Sequence, residues 1–157
     1  MAVRIDLTLD CANATKLAAF WKLALGYQDE PPPAPFATRQ EWLQAADPEA
    51  GPDDGAWLCD PDGAGPRLSL LRVPEPKVAK NRLHIDIRLS AGAPRPSEEE
   101  RRRIDAGVAS LVELGATVLR RNQDPEDWYV VLQDPEGNEF CLAAATWPKD
   151  PSSNGGG

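Results

Sequence analysis

"WLCDPDG", Trp57 to Gly63, returns in the second half of the chain as "VLQDPEG", Val131 to Gly137. Each stretch is a short apolar strand running into Asp-Pro-x-Gly. That tetrapeptide makes a turn for three separate reasons: Asp can accept hydrogen bonds from the turn backbone, Pro presets φ, and Gly takes a positive φ. A second correspondence lies upstream of each turn, where "RIDLTL" (Arg4–Leu9) matches "RLHIDI" (Arg82–Ile87) and sets Asp6 opposite His84. The two intervals, Asp6 to Asp60 and His84 to Asp134, differ by only a few residues. A duplicated module is the economical reading.

The segments between these anchors agree. In the first half, "RIDLTLD" alternates Ile5, Leu7 and Leu9 against Asp6, Thr8 and Asp10, the pattern of a half-buried strand. "CANATKLAAFWKLALGY" follows as a helix with Leu17, Phe20, Trp21, Ala24 and Leu25 on one face and Gly26 as its C-terminal stop. "AWLCDPDG" and "PRLSLLRV" read as strands. In the second half, "RLHIDIRLS" is a strand, with Leu83, Ile85, Ile87 and Leu89 facing away from His84, Asp86 and Arg88. A helix, "SEEERRRIDAGVASLVELG", opens with a Ser97/Glu100 capping box and buries Ile104, Val108, Leu111 and Val112. "ATVLRR", "WYVVLQDPEG" and "NEFCLAA" complete the set as strands. The fold class is α+β: two tandem βαβββ modules forming a cupped mixed β-sheet with helices outside. The boundaries are 1–75 and 76–147, together one domain, followed by a disordered tail at 148–157. Between Pro31 and Gly55 the first module carries extra length. A capping box at Thr38 and Glu41 predicts an inserted helix near 38–46, anchored by Trp42 and Leu43 and packed on the sheet edge or a dimer partner, with a lid over a cleft as the alternative.

Charge narrows the partners. The chain carries 25 acidic and 17 basic residues, a formal net charge of −8. Phosphates and anionic lipid surfaces are repelled at long range, which excludes nucleic acid and membrane as partners. "EEERRR" (Glu98–Arg103) is a self-paired helix face: Glu98 reaches Arg101 and Arg102, and Glu99 reaches Arg102 and Arg103. Cys11, Cys59 and Cys141 are odd in number and have no C-x-x-C spacing, which suits a reducing compartment. "MAVRIDLTLD" contains no signal-peptide core, so a cytoplasmic location is expected.

Paired βαβββ modules, "AAFWKLALGY" after the first strand and "DPEGNEFCL" near the end resemble the glyoxalase, bleomycin-resistance and extradiol-dioxygenase superfamily, the vicinal oxygen chelate fold. "RVPEPKVAKNRLHIDI" is similar to its glyoxalase-like branch. The resemblance spans roughly Val3 to Thr146. It implies a small-molecule site, and in metal-dependent members four ligands, typically His or Gln, Glu, His and Glu on the first, fourth, fifth and eighth strands. Laid on this chain, those positions fall on Asp6, Ser69 (or Leu71), His84 and Cys141. Both glutamates of a typical glyoxalase I are missing, as are the two histidines and carboxylate of an extradiol dioxygenase. The resemblance also implies a homodimer.

Two readings of function follow. In the first, a small carbonyl or cyclic metabolite enters the cup of a lyase or isomerase. His84 acts as general acid or base, Asp6 orients it, and Glu139 is a further carboxylate on the face of Cys141. No cofactor is expected; the alternative is one divalent metal such as zinc on His84, Asp6 and Cys141, a donor mix suited to zinc. In the second, a bleomycin-resistance-type binder sequesters a hydrophobic, even cationic, molecule, with Trp42, Trp57 and Trp128 offering flat faces. A scaffold with no small ligand is a third reading. It leaves the inward polar face of His84, Asp86 and Arg88 unexplained.

Overall fold

The computed structural model describes residues 3–89, 96–125 and 127–144; the tail expected at 148–157 lies outside the described residues. The chain divides into two compact units, Met1–Val78 and Ala79–Gly157.

The first unit contains β1 (Asp6–Cys11), α1 (Ala14–Leu25), β2 (Gln28–Asp29), α2 (Arg39–Ala46), β3 (Gly55–Cys59) and β4 (Arg67–Arg72). The second contains β5 (Ile85–Arg88), α3 (Glu98–Glu113), β6 (Thr117–Asp124), β7 (Asp127–Gln133) and β8 (Glu139–Ala143). Each forms a four-stranded mixed sheet with the same permutation, β1-β4-β3-β2 and β5-β8-β7-β6. In each, the first strand pairs in parallel with the last, while the remaining pairs are antiparallel. The duplication read from the sequence is therefore a duplication of topology.

The two turns are built alike. In the first, the Asp60 carboxylate accepts from the backbone N–H groups of Asp62, Ala64 and Gly65, and Gly63 sits at φ 70°. In the second, Asp134 accepts from the N–H groups of Glu136 and Asn138, and Gly137 sits at φ 87°. Asp134 is almost fully buried and also holds both ends of its contact with the Asn138 side-chain amide.

One face of each sheet is covered by its helix. In the first unit Leu17, Ala18, Phe20 and Trp21 of α1 meet Ala56, Leu58, Leu68 and Leu70. In the second, Ile104, Val108 and Leu111 of α3 meet Val130, Leu132, Phe140 and Leu142. Each of the leucines, isoleucines, valines and phenylalanines among them contributes roughly 1.5–3 kcal/mol by leaving water. The Asn13 side chain caps α1 by accepting from Lys16 N–H, and the capping box at Ser97 and Glu100 is complete, with both reciprocal bonds made. At α2 only half of the expected box forms: Thr38 accepts from Glu41 N–H, but the Glu41 carboxylate reaches back one residue further, to Ala37 N–H.

Several expectations change at the element ends. Strand β5 begins at Ile85, leaving His84 just before it, and Leu83 is exposed rather than packed. Ile5 precedes β1 and is exposed, and Val112 falls off the buried stripe of α3. Arg102 and Arg103 pair with Glu98 and Glu99 as expected, whereas Arg101 instead lies 4.8 Å from the Trp128 ring. That face of α3 turns toward the sheet, where an indole is a better partner than a solvated carboxylate. Among the described residues, no helix is long and apolar enough to cross a membrane.

Candidate functional site

Strand alternation gives the second unit's sheet a face opposite α3, and that face is concave. Asp86 and Arg88 of β5, Cys141 and Ala143 of β8, Tyr129 and Val131 of β7, and Leu119 and Arg120 of β6 line a hollow of about 670 Å³. Lys80, His84 and Ala144 complete the lining. The volume suits a small molecule. The register explains the shape: Asp86, Cys141, Val131 and Arg120 form one row across the sheet, and Arg88, Ala143 and Tyr129 form the next. Short side chains occupy much of the two central strands and long ones the two edges. With strands about 4.8 Å apart, the edge backbones are separated by about 14 Å across that floor.

Arg120 reaches this face through a β-bulge between Val118 and Arg120. Val118 pairs with Leu132, and the extra residue, Leu119, brings Arg120 opposite Val131 and Arg121 opposite Val130. Val131 belongs to the hollow and Val130 to the core, so the two adjacent arginines part company. Arg121 goes to the helix side, 2.8 Å from Asp105 of α3. Arg120 goes to the hollow, where it donates to the Tyr129 hydroxyl at 2.9 Å. Bulges commonly re-aim a side chain in this way.

His84 lines the hollow, as its polar strand face predicts. Its Nε2 lies 2.7 Å from Lys80 Nζ and 3.3 Å from the Asn81 carbonyl. An ammonium only donates, so the short contact is satisfied when Nε2 offers its lone pair and the ring proton sits on Nδ1. Beside it, Cys141 stands opposite Asp86 on the parallel strand pair. Burial and the neighbouring Asp86 carboxylate push the thiol up to about 11, with Arg120 and Lys80 pulling weakly the other way. The group is a thiol at neutral pH and hydrogen-bonds Asp86. Arg88 Nη2 lies 4.0 Å from the same carboxylate.

Other sequence candidates have partners within their own units. The Glu139 carboxylate accepts from Asn81 N–H at 3.0 Å, bracing the segment that leads into β5, and does not line the hollow. Asp6 lies on β1 of the first unit, 3.4 Å from Arg4 Nε in an exposed pair. Ser69 is buried on β4, opposite Thr8. The three indoles expected to offer free faces are engaged within their own units. Trp42 stacks on Trp57 at 4.0 Å with the Arg67 guanidinium beside both rings, and Trp128 carries Arg101. Three polar lining residues escaped the sequence reading: Lys80, Tyr129 and Arg120. Lys80, four residues before His84, left a weak signal. Arg120 left none, because simple alternation does not anticipate a bulge.

The ligand set implied by the resemblance does not fit a divalent ion. The Lys80 ammonium lies 2.7 Å from Nε2 and competes with any cation for its lone pair, and Ser69 supplies only a hydroxyl. Among the described residues, no three His, Cys, Asp or Glu side chains gather as a metal site.

A family model described as a glyoxalase-like domain matches residues 6–143. No curated protein matches the chain. Among solved structures, a mutant of the fosfomycin resistance protein FosX from Listeria monocytogenes, in complex with Mn(II) and 1S,2S-dihydroxypropylphosphonic acid, is 12% identical with a TM-score of 0.62. The match covers 93% of this chain and 94% of that one. A glyoxalase/bleomycin resistance protein/dioxygenase family enzyme from Burkholderia phytofirmans is 14% identical with a TM-score of 0.60, covering 90% of this chain and all of that one. A possible glyoxalase from Bacillus cereus is 18% identical with a TM-score of 0.56, covering 92% and 100%. At such identities the likeness is one of fold.

Proposed function

This chain belongs to the glyoxalase-like domain family, and we propose that it acts on a small carbonyl-containing or cyclic metabolite bound in the hollow of the second unit, by acid–base chemistry centred on His84. The observation that carries this reading is the Lys80–His84 couple at the edge of the hollow. An ammonium on the imidazole lone pair is a latent base. A ligand oxyanion, or a carbonyl oxygen gaining charge, competes for Lys80, and as the ammonium turns to it Nε2 is freed to take a proton. Lys80 then stabilises the negative charge that the proton transfer creates. No step passes through a metal, since the residues present do not suit one. The orienting role expected of Asp6 stays part of the proposal and is tested by Asp6→Asn.

The test is a panel of small carbonyl and cyclic metabolites followed by one-dimensional NMR for conversion. At least one is turned over by the wild type and not by His84→Gln, and Lys80→Met lowers turnover by about 10²-fold or more, the scale of general acid–base catalysis. Equal turnover by His84→Gln contradicts the proposal.

One observation favours a second reading, sequestration without conversion: the strongest nucleophile in the hollow, Cys141, is kept protonated. A panel compound retained by the protein and recovered unchanged would select that reading.

A further inference from the structure

We infer that the hollow of the second unit selects a small organic anion: a carboxylate, phosphonate or phosphate ester carried on a short apolar body. The inference rests on the hollow being the ligand site and adds the class of ligand. In a chain with an excess of acidic residues, the described residues of the lining include three cationic side chains, Lys80, Arg88 and Arg120, against a single carboxylate, Asp86. The three come from separate places: the segment before β5, the end of β5, and the bulged strand β6. Lys80 and Arg120 each make their hydrogen bond to a neutral atom, the His84 imidazole nitrogen and the Tyr129 hydroxyl oxygen, so neither charge is cancelled there. The lone carboxylate has company: it is hydrogen-bonded to the Cys141 thiol, and Arg88 lies 4.0 Å away.

Val131, Cys141, Ala143 and Ala144 give the floor a mostly apolar surface between the charged edges. A guanidinium fork at one side and an ammonium at the other match a planar or tetrahedral oxyanion, and the floor matches a small hydrocarbon body. This reverses what the overall charge suggests, namely a cationic ligand. The −8 charge is spread over the chain and is screened within about 10 Å at ordinary salt, whereas the lining acts at contact.

The experiment uses three probes of nearly one shape and different charge, benzoate, benzamide and benzylamine, titrated into the full chain by ligand-observed NMR. The expected result is benzoate bound at least about tenfold more tightly than benzamide, with benzylamine weakest, the size of one charge-assisted hydrogen bond. Arg120→Gln, checked for folding by circular dichroism, lowers benzoate affinity about tenfold and benzamide affinity by clearly less. Arg120→Lys, which keeps the charge, retains most of the affinity. Equal binding of benzoate and benzamide overturns the inference while leaving the hollow as a ligand site. Preference for benzylamine, or benzoate binding indifferent to both Arg120→Gln and Arg88→Gln, overturns it in the same way. If none of the three probes binds, the inference and the reading of the hollow fall together.

Discussion

Asp86 and Cys141 face each other across the parallel pair of β5 and β8, and the carboxylate keeps the thiol protonated. Burial disfavours the thiolate first, and a negative neighbour that accepts the S–H bond disfavours it further. The pair gives the floor of the hollow a neutral sulfur. It also softens the one carboxylate that the described residues bring to a lining rich in cations.

Removing that neighbour loosens the proton. In Asp86→Asn the Cys141 thiol titrates below its wild-type value of about 11 while staying above the ordinary thiol range, because burial remains. Alkylation of the single-cysteine background Cys11→Ala/Cys59→Ala, followed against pH, reads the shift directly. An unchanged profile contradicts the assignment.

The same proton links stability to alkaline pH. The folded-state value lies above the unfolded value near 9, so the thiol's contribution is whole below pH 9 and is lost as pH rises toward about 11. Between those limits the wild type loses stability faster than Cys141→Ala, as measured by urea denaturation. Parallel curves for the two proteins would count against it.

The duplicated turns differ in burial, and their mutants differ accordingly. Asp134→Ala strands the buried backbone and side-chain donors of Asn138 and also loses the Glu136 N–H bond, costing about 2–3 kcal/mol. Asp60→Ala, in the more solvated copy, costs less, since water replaces the lost acceptor. Chemical denaturation ranks the two, and equal losses refute the difference.

Helix α2 has no fully buried residue and is held by Trp42 stacking on Trp57 and by Leu43 lying over Gly55. Trp42→Ala therefore costs about 1–2 kcal/mol at this contact and raises hydrogen exchange across Arg39–Ala46. Stacked indoles also couple optically, so the far-ultraviolet dichroism of the wild type loses a couplet in Trp42→Phe. Unaltered exchange in that segment shows that something else holds the helix.

What could be read in advance follows physical range. Turns and caps are local: Asp-Pro-x-Gly, Ser97 with Glu100, and Gly26 each act over a few residues, and all three are where the sequence puts them. The duplication followed from two such local signals in the same order. Strand β2, only two residues long, is too short for any periodicity to register. Leu83 and Ile5 look like core by alternation but precede their strands, where nothing covers them. In the site, Asp86 and Arg88 were legible because they alternate along β5, with His84 in phase just before it, and Cys141 because β8 runs without a break. The cationic character was not, because it depends on a one-residue bulge that turns Arg120 rather than Arg121 toward the hollow.

Where a small ligand binds is the question beneath all of this, and backbone and side-chain NMR of the full chain titrated with benzoate answers it most directly. The account predicts shift changes concentrated on Lys80, His84, Arg88, Arg120, Tyr129 and Cys141, with Glu139 and the Trp42–Trp57 pair little moved. Saturable changes centred on the first unit, with those six signals still, would contradict it.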